Sequence, residues 1–155
     1  MVQQRTKLSI KEAHQYFAAK LNNKVWDLLQ KENRTEQETA DMENSAHASM
    51  YHWKQLKNPV DEQRGMWLLS RVYAAQNKAK RALSYAKKCV DLAKKHPSVE
   101  FNIAFAYEAM GRAFLANHNL DEAHCYKELA IDCADEINNP KQRNAFLQTL
   151  FNVCT

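Results

Sequence analysis

The chain has 155 residues, 45% of them apolar and 26% charged, with a net charge of +4 and only two glycines. That length suits one domain or a short repeat array with a real core, and the apolar content excludes a disordered polymer. No run of 18 apolar residues occurs, which excludes a membrane-spanning helix, and two glycines leave no room for a Walker loop or a dinucleotide fingerprint.

Strand-type alternation is absent, so helices must form the core. Ser9 and Glu12 carry the pattern of a capping box, and Ile10, Ala13, Phe17, Leu21, Val25 and Leu28 recur at helical spacing behind it. Asn33 and Arg34 end this first helix. Thr35 with Glu38 repeats the capping logic and opens a second helix through Ala40, Ala46, Met50, Trp53 and Leu56, which stops before Asn58-Pro59. A third helix is expected from about Asp61 to Gln76. The fourth, from about Lys78 to Lys95, buries Ala79, Ala82, Leu83, Ala86, Cys89, Val90 and Ala93. The pattern restarts after His96-Pro97 with a fifth helix over Ser98 to Ala116. A sixth follows over Leu120 to Ile137, with Ala123, Tyr126, Ala130, Ile131, Ala134 and Ile137 inward. A last helix begins after Asn139-Pro140 and carries Ala145, Phe146, Leu150 and Phe151. Pro59, Pro97 and Pro140 therefore mark boundaries, since proline cannot donate inside a helix and disfavours helical geometry in the residue before it. About seven helices joined by short connections make consecutive helices antiparallel neighbours.

A shift of 41 residues superposes the third and fourth helices on the fifth and sixth. Ser70 falls on Gly111, Arg71 on Arg112, Tyr73 on Phe114, Ala75 on Ala116, Ala82 on Ala123, Tyr85 on Tyr126, Cys89 on Ala130, Val90 on Ile131 and Asp91 on Asp132. The small residues allow the two helices of a unit to approach, and the aromatic three positions on fills the space beside them. Units of this kind bury their faces only by stacking.

At these positions residues 62–137 resemble the tetratricopeptide repeat, whose pattern is a small residue and an aromatic on each helix. The period of 41 exceeds that family's 34, neither unit ends in proline, and Trp67 sits one residue past the family's tryptophan. The segments AHASMYHW and DEQRGMWLLSRVYA also resemble an uncharacterised bacterial helical repeat family, which implies no activity. The resemblance implies an all-α, right-handed stack of antiparallel hairpins, a TPR-like α-solenoid. Within a single domain spanning 1–155, residues 9–57 form a divergent hairpin outside the 41-residue register. Residues 61–96 and 98–138 are then the two repeats, and 140–153 a capping helix.

In the family the first helix of each unit lines a concave groove. The resemblance maps that face onto Arg64, Trp67 and Arg71 in one repeat and onto Phe105, Glu108 and Arg112 in the next. Spacings of three, four and seven put each trio on one helical face. Arginines beside Trp67 suit bidentate capture of carboxylates, so the expected partner is a protein or peptide carrying acidic groups. The competing reading has Trp67 packed on the N-terminal hairpin and the arginines paired with Glu62 or Glu108.

Charge distribution raises an alternative. Residues 78–95 carry seven cations against Asp91 alone, and residues 100–136 carry eight acids against Arg112 and Lys127, balances of +6 and −6. The basic helix 78–95, with Tyr85, is the candidate for nucleic-acid contact, although Tyr85 matches Tyr126 of the acidic helix and repeat packing accounts for it.

No enzyme, cofactor or metal is implied. His47 and His52 diverge by about 140° on a helix. His124, Cys125, Cys133 and Asp121 supply ligand types without a recognised arrangement, and Glu43 with His47 is an ordinary helix-face pair. The N-terminus lacks a signal-type apolar core, and Cys89, Cys125, Cys133 and Cys154 show no CxxC spacing. Reduced thiols and a cytoplasmic location are therefore expected. The apolar end from Phe151 to Thr155 suggests a homodimer through the last helix.

Overall fold

The computed structural model describes residues 7–97 and 102–151. Seven helices and no strand occur among them: α1 (Ile10–Leu29), α2 (Glu36–Gln55), α3 (Pro59–Ala75), α4 (Ala79–Lys95), α5 (Asn102–Ala116), α6 (Leu120–Asp135) and α7 (Pro140–Thr149). None of them is long and apolar enough to cross a membrane.

Local chemistry accounts for the boundaries. The Ser9 hydroxyl accepts from the Glu12 amide at 3.2 Å while the Ser9 amide donates to Glu12 Oε2 at 2.7 Å. Thr35 and Glu38 close the same box at 3.1 and 3.0 Å. Pro59 and Pro140 occupy the first turns of α3 and α7, behind Asn58 and Asn139 caps, where a missing N–H costs nothing. The third helix accordingly starts two residues before its expected onset. The expected start of the fifth, Ser98, lies outside the described residues.

The turns inside the two repeats also match across 41 residues. Asn77 and His118 both adopt left-handed backbone, φ 56° and 57°. Lys78 N then donates to Tyr73 O at 2.9 Å and Asn119 N to Phe114 O at 3.0 Å, so each helix ends in a six-residue Schellman closure. Asparagine and histidine tolerate this geometry better than most side chains, which is how a chain with two glycines makes tight turns.

Consecutive helices pack against one another, and α3 also packs on α1 and α5, with no comparable pairing of α2 to α4 or α4 to α6. Among the described residues α1, α3 and α5 therefore form the tighter layer. Equivalent positions have equivalent surroundings. Tyr73 stacks on Tyr85 with centroids 5.7 Å apart and planes 11° apart, and Phe114 on Tyr126 at 5.6 Å and 17°. Ala82 and Ala123 are fully buried. Ser70 Oγ donates to Ala82 O at 2.9 Å, while at Gly111 an added Cβ would stand 3.2 Å from Ala123 O and 2.4 Å from Phe151 Cζ.

Two expectations fail at the edges. In α1 the buried residues are Ala18, Val25 and Leu28, whereas Ile10 is 81% and Phe17 45% exposed. Near its C-terminal end the helix meets α3 through the Trp26–Trp67 ring contact, and among the described residues nothing buries Ile10 or Phe17 in the N-terminal half of its stripe. Ala40 of α2 is likewise exposed, whereas Phe146 of α7 and Phe151 just beyond it are buried. Cys89, Cys125 and Cys133 are free thiols, and Cys154 lies outside the described residues.

The shared seam makes a symmetric demand. Ala82→Leu and Ala123→Leu should each lower stability by about 1–3 kcal/mol, because neither site has room for three more carbons. Urea midpoints would show two similar losses; tolerance at either alanine contradicts the packing.

Candidate binding cleft

Four aromatic rings cross the odd-numbered helices in a row. Trp26 of α1 meets Trp67 of α3 with centroids 5.3 Å apart, Trp67 meets Phe105 of α5 edge-on at 5.1 Å, and Phe105 meets Phe146 of α7 at 4.8 Å. Over this row lies a cleft of about 310 Å³ lined by Trp26, Arg64, Trp67, Phe105 and the α7 residues Gln142 and Ala145. Arg64 stands exposed at its rim, 3.4 Å from Asp61 Oδ1.

Beside the row sits a buried carboxylate. Glu108 is fully buried, a costly place for a charge unless it is paired and hydrogen-bonded. Its Oε2 accepts from Trp67 Nε1 at 2.6 Å and its Oε1 accepts from Arg112 Nε at 2.6 Å. Arg112 Nη2 also donates to the Thr149 carbonyl at 2.6 Å, which ties α5 to the end of α7. Arg112 is therefore consumed inside the fold.

Arg71, its equivalent one repeat earlier, is not. Its side chain is only 19% exposed and lies over the Trp26 and Trp67 rings, 4.8 and 5.6 Å from their centroids. Glu108 Oε1 is 3.6 Å away, an ion-pair distance rather than a hydrogen bond, and Nη1 is buried with no partner. Burial, then the charge of Arg112, hold the guanidinium down to about 10 against the opposing pull of Glu108, so it stays cationic at neutral pH. Arg71 and Arg112 together line a second hollow of about 330 Å³, walled by Leu29, Ala74 and Leu115.

All six residues implied by the resemblance thus lie on the layer formed by α3 and α5, in three settings. Arg64, Trp67 and Phe105 line the first cleft. Glu108 is enclosed beneath it. Arg71 and Arg112 face the second hollow and both turn toward Glu108 rather than Glu62. Sequence reasoning missed Trp26 and the α7 contribution. Trp26 stands 41 residues before Trp67 and Phe146 stands 41 after Phe105, so extending the register in both directions would have found them, and the N-terminal hairpin keeps the register at that position.

The other polar candidates are engaged elsewhere. Glu43 and His47 meet through the Tyr73 hydroxyl, which donates to Glu43 Oε1 at 3.1 Å and lies 2.7 Å from His47 Nε2. Lys78 donates to Glu43 Oε2 at 2.9 Å, and this bond chiefly holds the Glu43 carboxyl below its usual 4.5. Among the described residues no three His, Cys, Asp or Glu side chains converge on one point.

Two measurements address these charges. Glu108→Gln should cost about 3–5 kcal/mol in urea unfolding, because it leaves two buried guanidinium groups without a counter-charge. For Glu43 the sign follows from its lowered folded value. Its stabilisation, below about 1 kcal/mol for so exposed a pair, is complete above pH 4.5 and disappears as the pH falls through the folded value. The stability difference between the natural chain and Glu43→Gln should accordingly be present at pH 6 and shrink as the pH falls below 4.5.

Compared with known proteins, the chain finds no matching family model, no matching curated protein and no matching solved structure.

Proposed function

We propose that this chain is a non-enzymatic protein- or peptide-binding module, a right-handed TPR-like α-solenoid acting in the cytoplasm, whose odd-numbered helices form the recognition groove. Arg71 is the observation that carries this reading. A guanidinium with five donors, mostly buried, stacked on two indoles, with Glu108 only at ion-pair distance and no hydrogen bond to the described residues, is a costly arrangement that a bound anion would relieve. The neighbouring aromatic cleft supplies apolar area, and aromatic and arginine side chains are those that dominate interface energetics. An acidic side chain or terminal carboxylate at Arg71, followed by an apolar residue over Trp67 and Phe105, is the ligand pattern this surface suits.

A second reading rests on α4. Lys80, Lys87 and Lys94 recur every seven residues and are all exposed, which presents a cationic stripe to phosphates. Tyr85, however, stacks on Tyr73 and is covered by Lys88 at 4.9 Å, so the stripe lacks a free ring for base stacking. Self-association through α7 has little apolar surface to draw on among the described residues. Leu147 is its one large exposed apolar side chain, because Phe146 and Phe151 are buried in their own chain.

The test is a titration of acidic, neutral and basic peptide pools against the intact chain, read by the fluorescence of Trp26 and Trp67. Acidic peptides should bind, and Arg71→Ala should weaken them at least about tenfold, the loss of one charge-assisted contact, without a comparable loss of stability. Equal binding by the variant would discard the groove. A steeply salt-dependent mobility shift with oligonucleotides, abolished by Lys80→Ala/Lys87→Ala/Lys94→Ala, would favour α4 instead.

A further inference from the structure

At the far end of the stack the α1–α2 hairpin carries Leu8, Ile10, Tyr16, Phe17 and Tyr51, five of the eight large apolar side chains exposed among the described residues. Part of this patch encloses two histidines. His14 of α1 and His52 of α2, 38 residues apart in sequence, present their Nδ1 atoms to each other at 2.8 Å. Phe17 stacks on His52 with centroids 5.5 Å apart, and Tyr51 meets His14 and His52 edge-on at 6.4 and 5.5 Å. The aromatic walls hold both imidazoles half-buried and facing.

Two neutral imidazoles satisfy this contact when one carries its proton on Nδ1 and the other is bare there. When both carry the proton on Nε2, two bare nitrogens face each other across 2.8 Å, and turning each ring off that line aims both lone pairs at a cation set to one side. We propose that His14 and His52 form a two-imidazole site for a divalent transition ion such as Zn²⁺, Ni²⁺ or Cu²⁺, clamping α1 to α2 with water completing the coordination.

The chemistry selects that class of ion. Imidazole nitrogen suits zinc, nickel and copper, whereas calcium and magnesium demand oxygen ligands, and the positions three and four residues from each histidine on its own helix carry no carboxylate. The geometry needs little adjustment. Metal–nitrogen bonds of about 2.0–2.1 Å at a tetrahedral angle span about 3.3 Å between nitrogens, roughly half an ångström more than the observed separation, which small rotations of two side chains on separate helices supply. The pairing is invisible along the sequence, where His52 neighbours His47, because it joins residues on different helices.

The experiment uses the full chain with Cys125 and Cys154 replaced by Ser, so that thiols do not compete for the ion. ZnCl₂ or NiCl₂ is titrated while imidazole resonances and thermal unfolding are followed. Both rings should respond together with one ion per chain. At about 100 times the dissociation constant the melting temperature should rise by roughly 5–10 °C. His14→Ala and His52→Ala should each weaken binding at least about tenfold; if either unfolds, His14→Gln, which can still hydrogen-bond to His52, should show the same loss. Imidazole signals unmoved at millimolar ion, or an unchanged response in the His14→Ala/His52→Ala double variant, would overturn the site.

Discussion

The Glu108 carboxylate governs the arrangement of the odd-numbered helices. A charge with no exposure to water persists only where the surrounding chain supplies both donors and an opposing charge. Trp67 brings its indole N–H from α3, Arg112 brings its guanidinium from the same helix as Glu108, and Arg112 in turn holds the last carbonyl of α7. One buried anion therefore sets where α3, α5 and α7 meet. It does so at the midpoint of the aromatic row, so the wall of the cleft and the charge beneath it are aspects of a single packing problem.

That solution leaves a surplus. Two guanidinium groups approach one carboxylate, and the better hydrogen bonds go to Arg112, which lies one helical turn from Glu108 on its own helix. Arg71 receives indole faces in place of acceptors. Repeat symmetry makes the two arginines equivalent in sequence, and the Glu108 side chain breaks that equivalence because its Oε1 is already engaged by Arg112. A spare cation beside an apolar cleft follows from this asymmetry, and it is the physical basis for reading the odd-helix layer as a recognition surface.

The two ends of the stack meet the problem of a missing neighbour in different ways. At the C-terminal end α7 turns Phe146 inward, Phe151 just beyond it is buried too, and mostly polar side chains are left outside. At the N-terminal end no described residue covers α1 in this way, and its outer half, with the facing part of α2, exposes rings gathered around His14 and His52. End units of a stacked array need an atypical outer face, and here one end is closed by its own helix while the other presents aromatic surface.

Much of the fold was legible one residue at a time. Capping boxes at Ser9 and Thr35, the prolines at 59 and 140, and the 41-residue correspondence of Tyr73 with Phe114 and of Ala82 with Ala123 depend on interactions within a helix or between adjacent helices, so spacing alone encodes them. The candidate face came from the resemblance, which picks out Arg64, Trp67 and Phe105; spacing alone puts each trio on one side of its helix and does not say which side binds. Which arginine is spent, that Trp26 completes the aromatic row, that Ile10 and Phe17 stay in water, and that His52 meets His14 rather than His47 were decided only by tertiary packing. Each depends on a contact between helices far apart along the chain, or on the lack of a covering helix, and periodicity carries no information about what lies on the other side of a face.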